Sequence, residues 1–392
     1  MRPTRIVGVR FLKTVVLYPL LVLILLVGCS DGTDMSAVTE TIEPPDLPAI
    51  SYDEQGPYPV GNQTISVMNA SRGRMLDVEI WYPANITGSG QSILDFAGSE
   101  AERDALQQLL ADVPQNCTRR ETNSSASPEP IITIPFKLPL VVFSHCYECT
   151  RYSLFSLAER LASHGIAFAA PDHAMNTLFD SGAMINAEFL ATRASDISAV
   201  LDELLIDNSQ ALPVSLQGRF DATKIGVAGH SYGAVTAGKV LQDDDRFKAG
   251  LIIAAPVESP VLLGVTVEQI AEPMLFMLAQ EDNSIGLLGN AVMRQNYDVA
   301  PSPAWKIEIA DAGHWSFSDI ARIVPAFDAG CGDGERQSMP GELFTYIDNV
   351  LAREITAAYG VRFFAAQLLG DEEAELALSI SLDPGVVDVQ SK

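Results

Sequence analysis

Positive charge is scarce in this chain: 25 Lys and Arg stand against 50 Asp and Glu over 392 residues, a formal net charge of −25. That balance argues against nucleic acid as a partner, because a phosphate backbone is held by a basic surface. Aromatic residues are also few, at 7% against 47% hydrophobic residues in all. A core built from Ala, Val, Leu and Ile suits a buried parallel sheet and leaves no room for a wholly disordered chain. Long apolar runs are nearly missing. The longest, Val15–Val27, is uncharged but broken by Tyr18 and Pro19, and it is shorter than the roughly 20 residues that a comfortable membrane span needs. Cysteine and histidine number five each. The pair Cys146-x-x-Cys149 has no second pair at zinc-finger spacing, so a structural metal is not expected.

What the first residues do have is Arg2, Arg5, Arg10 and Lys13 ahead of that apolar run. A basic start followed by a short apolar segment reads as an export signal over residues 1–28, with a signal anchor as the alternative. The end of the run, Leu26-Val27-Gly28-Cys29, resembles the lipobox of bacterial lipoproteins. The resemblance implies cleavage before Cys29 and acylation of that residue, hence a membrane partner reached through lipid, since several chains anchor where one is marginal. An ordinary signal peptide with an incidental Cys29 is the other reading, leaving the protein secreted. Ser30 after the cysteine resembles the pattern that sends enterobacterial lipoproteins to the outer membrane, so the cell envelope is the expected location. Residues 29–57, rich in Asp, Thr, Glu and Pro, read as a flexible tether.

A chain of this length does not demand two cores, because α/β units of about 200–250 residues or more form one domain. Residues 58–392 are therefore expected to fold together, with an insertion at about 86–130. Alternation in Met75-Leu76-Asp77-Val78-Glu79-Ile80-Trp81 marks a strand with one wet face, paired antiparallel with residues 63–69 at a sheet edge. From residue 138 the rhythm changes to short continuous apolar runs at 140–143, 166–170, 225–228, 250–254, 274–278 and 305–309. Helical patterns at 153–163, 187–205 and 232–242 separate them, so the strands must run parallel through crossover helices. Further helices are expected at 341–358 and 363–378. The fold class is α/β, a three-layer domain with a mostly parallel central sheet.

Gly229-His230-Ser231-Tyr232-Gly233 fits G-x-S-x-G and lies between a strand and a helix, where a sharp turn presents a serine hydroxyl above the sheet edge. The bare pattern is weak; its position makes it informative. Serine is a poor nucleophile unless a base takes its proton and an acid orients that base. Among the five histidines, His314 follows the last expected strand and is the candidate base. His230 lies inside the turn and should point away. His145 and His173 end earlier strands, and His164 reads as a surface residue. Asp282, beyond the strand at 274–278, is the candidate acid, which gives the chain order Ser231, Asp282, His314 of α/β-hydrolases. Glu258, after the preceding strand, is the rival acid. Oxyanion donors are expected from the N–H of Tyr232 and, in the loop after the strand at 140–143, of Tyr147. Trp315 beside the base lines the substrate site or simply packs. No cofactor or metal is required.

These residues resemble the dienelactone-hydrolase-like and platelet-activating-factor-acetylhydrolase-like esterases, with bacterial cutinases as relatives. The likeness covers about 74–321 and rests on Ser144-His145, the stretch from Ala158 to Gly165, Pro171-Asp172-His173, the serine turn, and His314-Trp315-Ser316-Phe317-Ser318-Asp319. It implies acyl transfer on a carboxylic ester, short acyl chains first, with phospholipid acetyl esters or polyesters as extensions. A non-catalytic lipoprotein binding module is the alternative of another class. Two departures matter: the acetylhydrolases carry their acid after the strand matching 250–254, where this chain has Ala254-Ala255-Pro256, and Cys146 stands where relatives have glycine. Apart from Cys29, the cysteines Cys117, Cys146, Cys149 and Cys331 are even in number, and disulfides are expected in an exported protein. Three pairings are open. A bridge from Cys146 or Cys149 to Cys117 or Cys331 would brace the oxyanion loop.

Overall fold

The computed structural model describes residues 51–85, 88–117, 120–131 and 137–392. The expected signal peptide, Cys29 and residues 30–50 of the tether lie outside the described residues.

The apolar runs become strands because each is short, β-branched or aliphatic, and closed by loop residues. In chain order the strands are β1 (Val60–Asn69), β2 (Arg74–Pro83), β3 (Ser124–Ala126), β4 (Leu138–Ser144), β5 (Ala167–Pro171), β6 (Phe220–His230), β7 (Phe247–Ile253), β8 (Met274–Ala279), β9 (Ala304–Ile309), β10 (Asp333–Glu335), β11 (Leu343–Thr345) and β12 (Val387–Ser391). Ten of them form one sheet, in the order β12-β9-β8-β7-β6-β4-β5-β2-β1-β3. The pairs from β5 through β4, β6, β7, β8 to β9 are parallel, whereas β2 meets β5, β1 meets β2, and β12 meets β9 antiparallel. Every residue of β4 and of β8 is buried, as strands covered on both faces must be.

The covering helices are α1 (Glu100–Ala111), α2 (Phe155–Ser163), α3 (Ala187–Leu204), α4 (Tyr232–Asp243), α5 (Gly286–Val299), α6 (Asn349–Phe364) and α7 (Glu372–Leu378). Residues of α2, α6 and α7 belong to the apolar core on one face of the sheet. Those of α3, α4 and α5 belong to the core on the other. Helix α3 shows why: Leu190, Ile197, Val200, Leu201 and Leu204 form one buried stripe, and the Asn186 side chain caps its start by accepting from Phe189 N–H at 2.8 Å. Among the described residues no helix is long and apolar enough to cross a membrane.

Four differences from the sequence reading have plain causes. Residues 51–57 are not tether: Gly56 N–H donates to Ser163 Oγ at 2.9 Å, Asp53 pairs with Arg362 at 2.6 Å, and the Tyr52 hydroxyl donates to Asp371. Their polar groups suit the ends of α2, α6 and α7. The insertion expected at about 86–130 joins the domain's own sheet, since β3 pairs parallel with β1 and extends it. The helix expected at 341–358 starts only at Asn349, where the Asp348 carboxylate caps Val350 and Leu351 N–H; Leu343–Thr345 before it is strand β11. The helix expected at 363–378 divides, because α6 runs on to Phe364, a single π-turn occupies Ala365–Leu369, and Gly370 at φ 71° ends it before α7.

Candidate active site

Ligand sites in open α/β sheets form outside the carboxyl ends of the strands, and here four adjacent strands, β6 to β9, send their ends to one place. Ser231 directly follows β6 and caps α4, with φ 56° and ψ −122°. A non-glycine residue is seldom held there, and such strain clusters at functional sites. Two glycines make the turn possible. A Cβ on Gly229 would strike the carbonyl of Gly233, and one on Gly233 would strike the carbonyl of Ser144. The Ser231 N–H donates to Ile253 O at 2.8 Å and locks the turn to β7. Its hydroxyl makes no cap bond to α4 and is half-buried on the wall of a cavity of about 600 Å³.

His314 lines the same cavity. Its Nδ1 lies 2.8 Å from Asp282 Oδ2 and 3.0 Å from Oδ1, and both residues are buried. Asp282 Oδ1 also accepts the N–H groups of Ser284 and Ile285, each at 3.0 Å, so the carboxylate is fixed before any substrate arrives. An acceptor this close assigns the Nδ1 proton to His314 and leaves Nε2 as an acceptor. Glu258 is not brought to His314. Its Oε2 takes the Val267 N–H at 2.8 Å. Glu281 and Asp311 both pair with Arg336.

The remaining histidines build support. His230 Nε2 donates to the His314 carbonyl at 3.0 Å, with the rings 5.0 Å apart; burial and then the neighbouring His314 push it well below the usual imidazole range, so it stays neutral. Trp315 is 5% exposed. It stacks on Phe327 at 3.9 Å between centroids and turns an edge to His314 at 5.2 Å, so it chiefly packs while part of it lines the cavity. Asp319, at the end of the His314 motif, accepts from Ser156 N–H at 2.9 Å and from Arg353 at 2.5 Å. That anchors the loop after the histidine to α2 and α6. His164 contacts the Glu54 carbonyl at 3.0 Å, away from the cavity.

Beneath the loop after β4 lies a network that sequence reasoning missed. Ser144 Oγ is 2.9 Å from His173 Nε2, and His173 Nδ1 is 2.8 Å from Asp196 Oδ2. All three residues are 0% exposed. Arg193, also fully buried, donates to Ser144 Oγ at 3.0 Å, to the His145 carbonyl and to Asn176, and its guanidinium lies 4.6 Å from the Tyr232 ring. Burial lowers its pKa to about 9, so it remains a cation at neutral pH. One side chain thus grips both segments from which oxyanion donors are expected. A signal existed: Arg193 and Asp196 fall within the apolar stripe of α3, where a charge needs a partner.

The bridges are Cys117–Cys331 and Cys146–Cys149. The brace expected between the oxyanion loop and the other two cysteines is therefore absent, because the 146–149 turn brings its own cysteines within 5.2 Å Cα to Cα. Instead that bridge closes a small ring around Tyr147 and Glu148, both of which line the cavity. Cys117–Cys331 ties the insertion to the segment after His314. Among the described residues no group of three His, Cys, Asp or Glu side chains is arranged to hold a metal ion.

Comparison with known proteins agrees with this architecture. A ferulic acid esterase from Streptomyces cinnamoneus superposes with a TM-score of 0.60 at 23% identity, over 86% of this chain and 97% of that one, a likeness of fold alone. The platelet-activating factor acetylhydrolase of Bos taurus is 28% identical over 182 residues, 36% of this chain and 40% of that protein. Cutinase est2 of Thermobifida alba is 28% identical over 178 residues, 45% of this chain and 52% of that protein. The chain thus spans about half the length, or less, of these curated relatives. The model of the family "Platelet-activating factor acetylhydrolase, isoform II" matches residues 51–199 and 190–327, most of the chain, and the chain belongs to that family.

Proposed function

We propose that the protein is a serine hydrolase of carboxylic esters, acting through an acyl-enzyme on Ser231 with His314 as base and Asp282 as acid. The observation that carries this reading is a strained serine and an Asp-paired histidine facing one cavity. His314 Nε2 takes the Ser231 proton, Oγ attacks the ester carbonyl, and the tetrahedral oxyanion is met by N–H groups of Tyr232 and Tyr147. The first N–H of α4 belongs to Tyr232 and has no intrahelical acceptor, which suits it to that role. His314 then protonates the departing alcohol, and water releases the acid by the same route. Asp282 holds the imidazole tautomer and stabilises its cation. The relatives named above as acetylhydrolase and cutinase support ester chemistry.

Short acyl chains are the first expectation. A second reading, bulky apolar esters such as polyesters or phospholipid acetyl esters, is favoured by the cavity wall of Ile185, Val261 and Leu288, exposed by 53%, 89% and 71%. A fluorophosphonate probe should label Ser231 alone, and p-nitrophenyl esters of rising chain length should separate the two substrate readings. No labelling and no ester turnover would leave a binding module. We infer from the sequence that Cys29 carries lipid and ties the protein to the cell envelope; palmitate labelling that persists in Cys29→Ser would refute this.

A further inference from the structure

The cavity beside Ser231 has an uneven chemistry. Much of its lining, including Val235, Ala255, Leu262, Ile285, Leu288 and Val292, is apolar. Among the described residues that line it there is neither arginine nor lysine and Glu148 is the one carboxylate, while the buried Arg193 guanidinium lies 4.6 Å from the ring of Tyr232, outside the lining. Glu148 also sits in an unusual backbone state, φ 53°, inside the four-residue ring closed by Cys146–Cys149. A glutamate is a poor residue for the left-handed region, so the ring, not the local preference of the residue, holds it there. Half-buried at the cavity, that charge acts across less water than an ordinary surface carboxylate. Aromatic rings line the same cavity: Tyr147 precedes Glu148, and its ring centroid is 6.4 Å from that of Tyr232, at a tilt of 53°. A carboxylate and aromatic rings in one cavity lining both attract an organic cation, the carboxylate by its charge and the rings by their faces.

We propose that Glu148 is a specificity-determining residue, which selects esters bearing a positive charge, such as a quaternary ammonium, over neutral esters of the same shape. The proposal rests on the ester-hydrolase reading and names the substrate charge for that site. The chain's net charge of −25 acts in the same direction at longer range.

The test uses two isosteric esters, butyrylcholine and 3,3-dimethylbutyl butyrate, which differ in charge and hardly in shape. Wild-type protein should favour the cation by about tenfold in kcat/KM, the size expected of one unit charge several ångströms away in a partly wet site. Salt should shrink that preference, because the cavity is open to solvent. Glu148→Gln should bring the ratio towards one, and Glu148→Lys should invert it. Turnover of both esters at equal kcat/KM by wild-type protein overturns the proposal alone, as does a preference for the cation that survives in Glu148→Gln. No turnover of either ester, nor of p-nitrophenyl acetate, overturns the ester-hydrolase reading and this proposal with it.

Discussion

Two sets of Ser, His and Asp occupy neighbouring strand ends in this molecule, and they differ in almost everything except residue type. In one, His314 and Asp282 are joined at 2.8 Å and Ser231 stands on a strained turn at a cavity. In the other, Ser144, His173 and Asp196 are joined at 2.9 and 2.8 Å but sealed from solvent. Ser144 is the last residue of β4 and its hydroxyl is held by Arg193. A triad of residue types therefore does not make a site. Access and a strained serine separate the two. The sealed set instead joins β4, the loop after β5 and α3, and through Arg193 it holds the loop that carries Tyr147.

Substitution of the two serines breaks the comparison most sharply. Ser231→Ala should lower ester turnover on the order of 10⁶-fold while the fold survives. Ser144→Ala should instead cost about 1–3 kcal/mol of stability, since His173 Nε2 and an Arg193 N–H lose a buried partner, and should leave turnover within about a hundredfold of wild type. Steady-state kinetics alongside denaturant melts measure both. A greater loss of turnover in Ser144→Ala than in Ser231→Ala would reverse the assignment of the two sets.

The two aspartates come next. Asp282→Asn should reduce kcat by about 10⁴, because His314 loses the acceptor that fixes its tautomer, with little change in thermal stability. Asp196 takes hydrogen bonds from Arg74, Asn69 and His173, so Asp196→Ala should cost about 3 kcal/mol of stability by leaving the half-buried Arg74 cation and the buried Asn69 and His173 donors without their acceptor. If Glu258→Gln lowers kcat more than Asp282→Asn, the proposed acid is the wrong one.

Much of this was legible beforehand, and the illegible parts share a cause. The strands of the parallel core were readable since each is a continuous apolar run, and Ser231, Asp282 and His314 since each follows one of those runs. Helix α5 was not: Gly286, Gly289, Asn290 and Asn296 blur its pattern, and only packing on β8 and β9 selects a helix there. Strand β12 alternates buried Val387 with polar residues at the end of the chain and gains its identity from pairing with β9. The sealed network is wholly tertiary, because Ser144, His173 and Asp196 lie on three different elements. Local pattern reveals what a segment buries, not which distant partner satisfies it.

The two disulfides carry the comparison into its smallest expected effect. Cys117–Cys331 joins residues 214 apart in sequence, and Cys146–Cys149 joins residues three apart. In the chain-entropy account a bridge stabilises by restricting the unfolded chain, by about 5 kcal/mol for a loop of the first size and by about 1–2 kcal/mol for the second. Cys117→Ser with Cys331→Ser should therefore lower the melting temperature clearly, with turnover below the melt little altered. Cys146→Ser with Cys149→Ser should barely move the melt. It should nevertheless reduce kcat several-fold, because the Tyr147 N–H then keeps only the Arg193 contact to the His145 carbonyl and the tether of its own hydroxyl to the Ala183 carbonyl at 2.8 Å, and a small misplacement of an oxyanion donor is felt in the transition state rather than in binding. KM should change less than kcat. Unchanged turnover in the Cys146–Cys149 double variant would mean that the loop is set by the buried network without help from the ring around it.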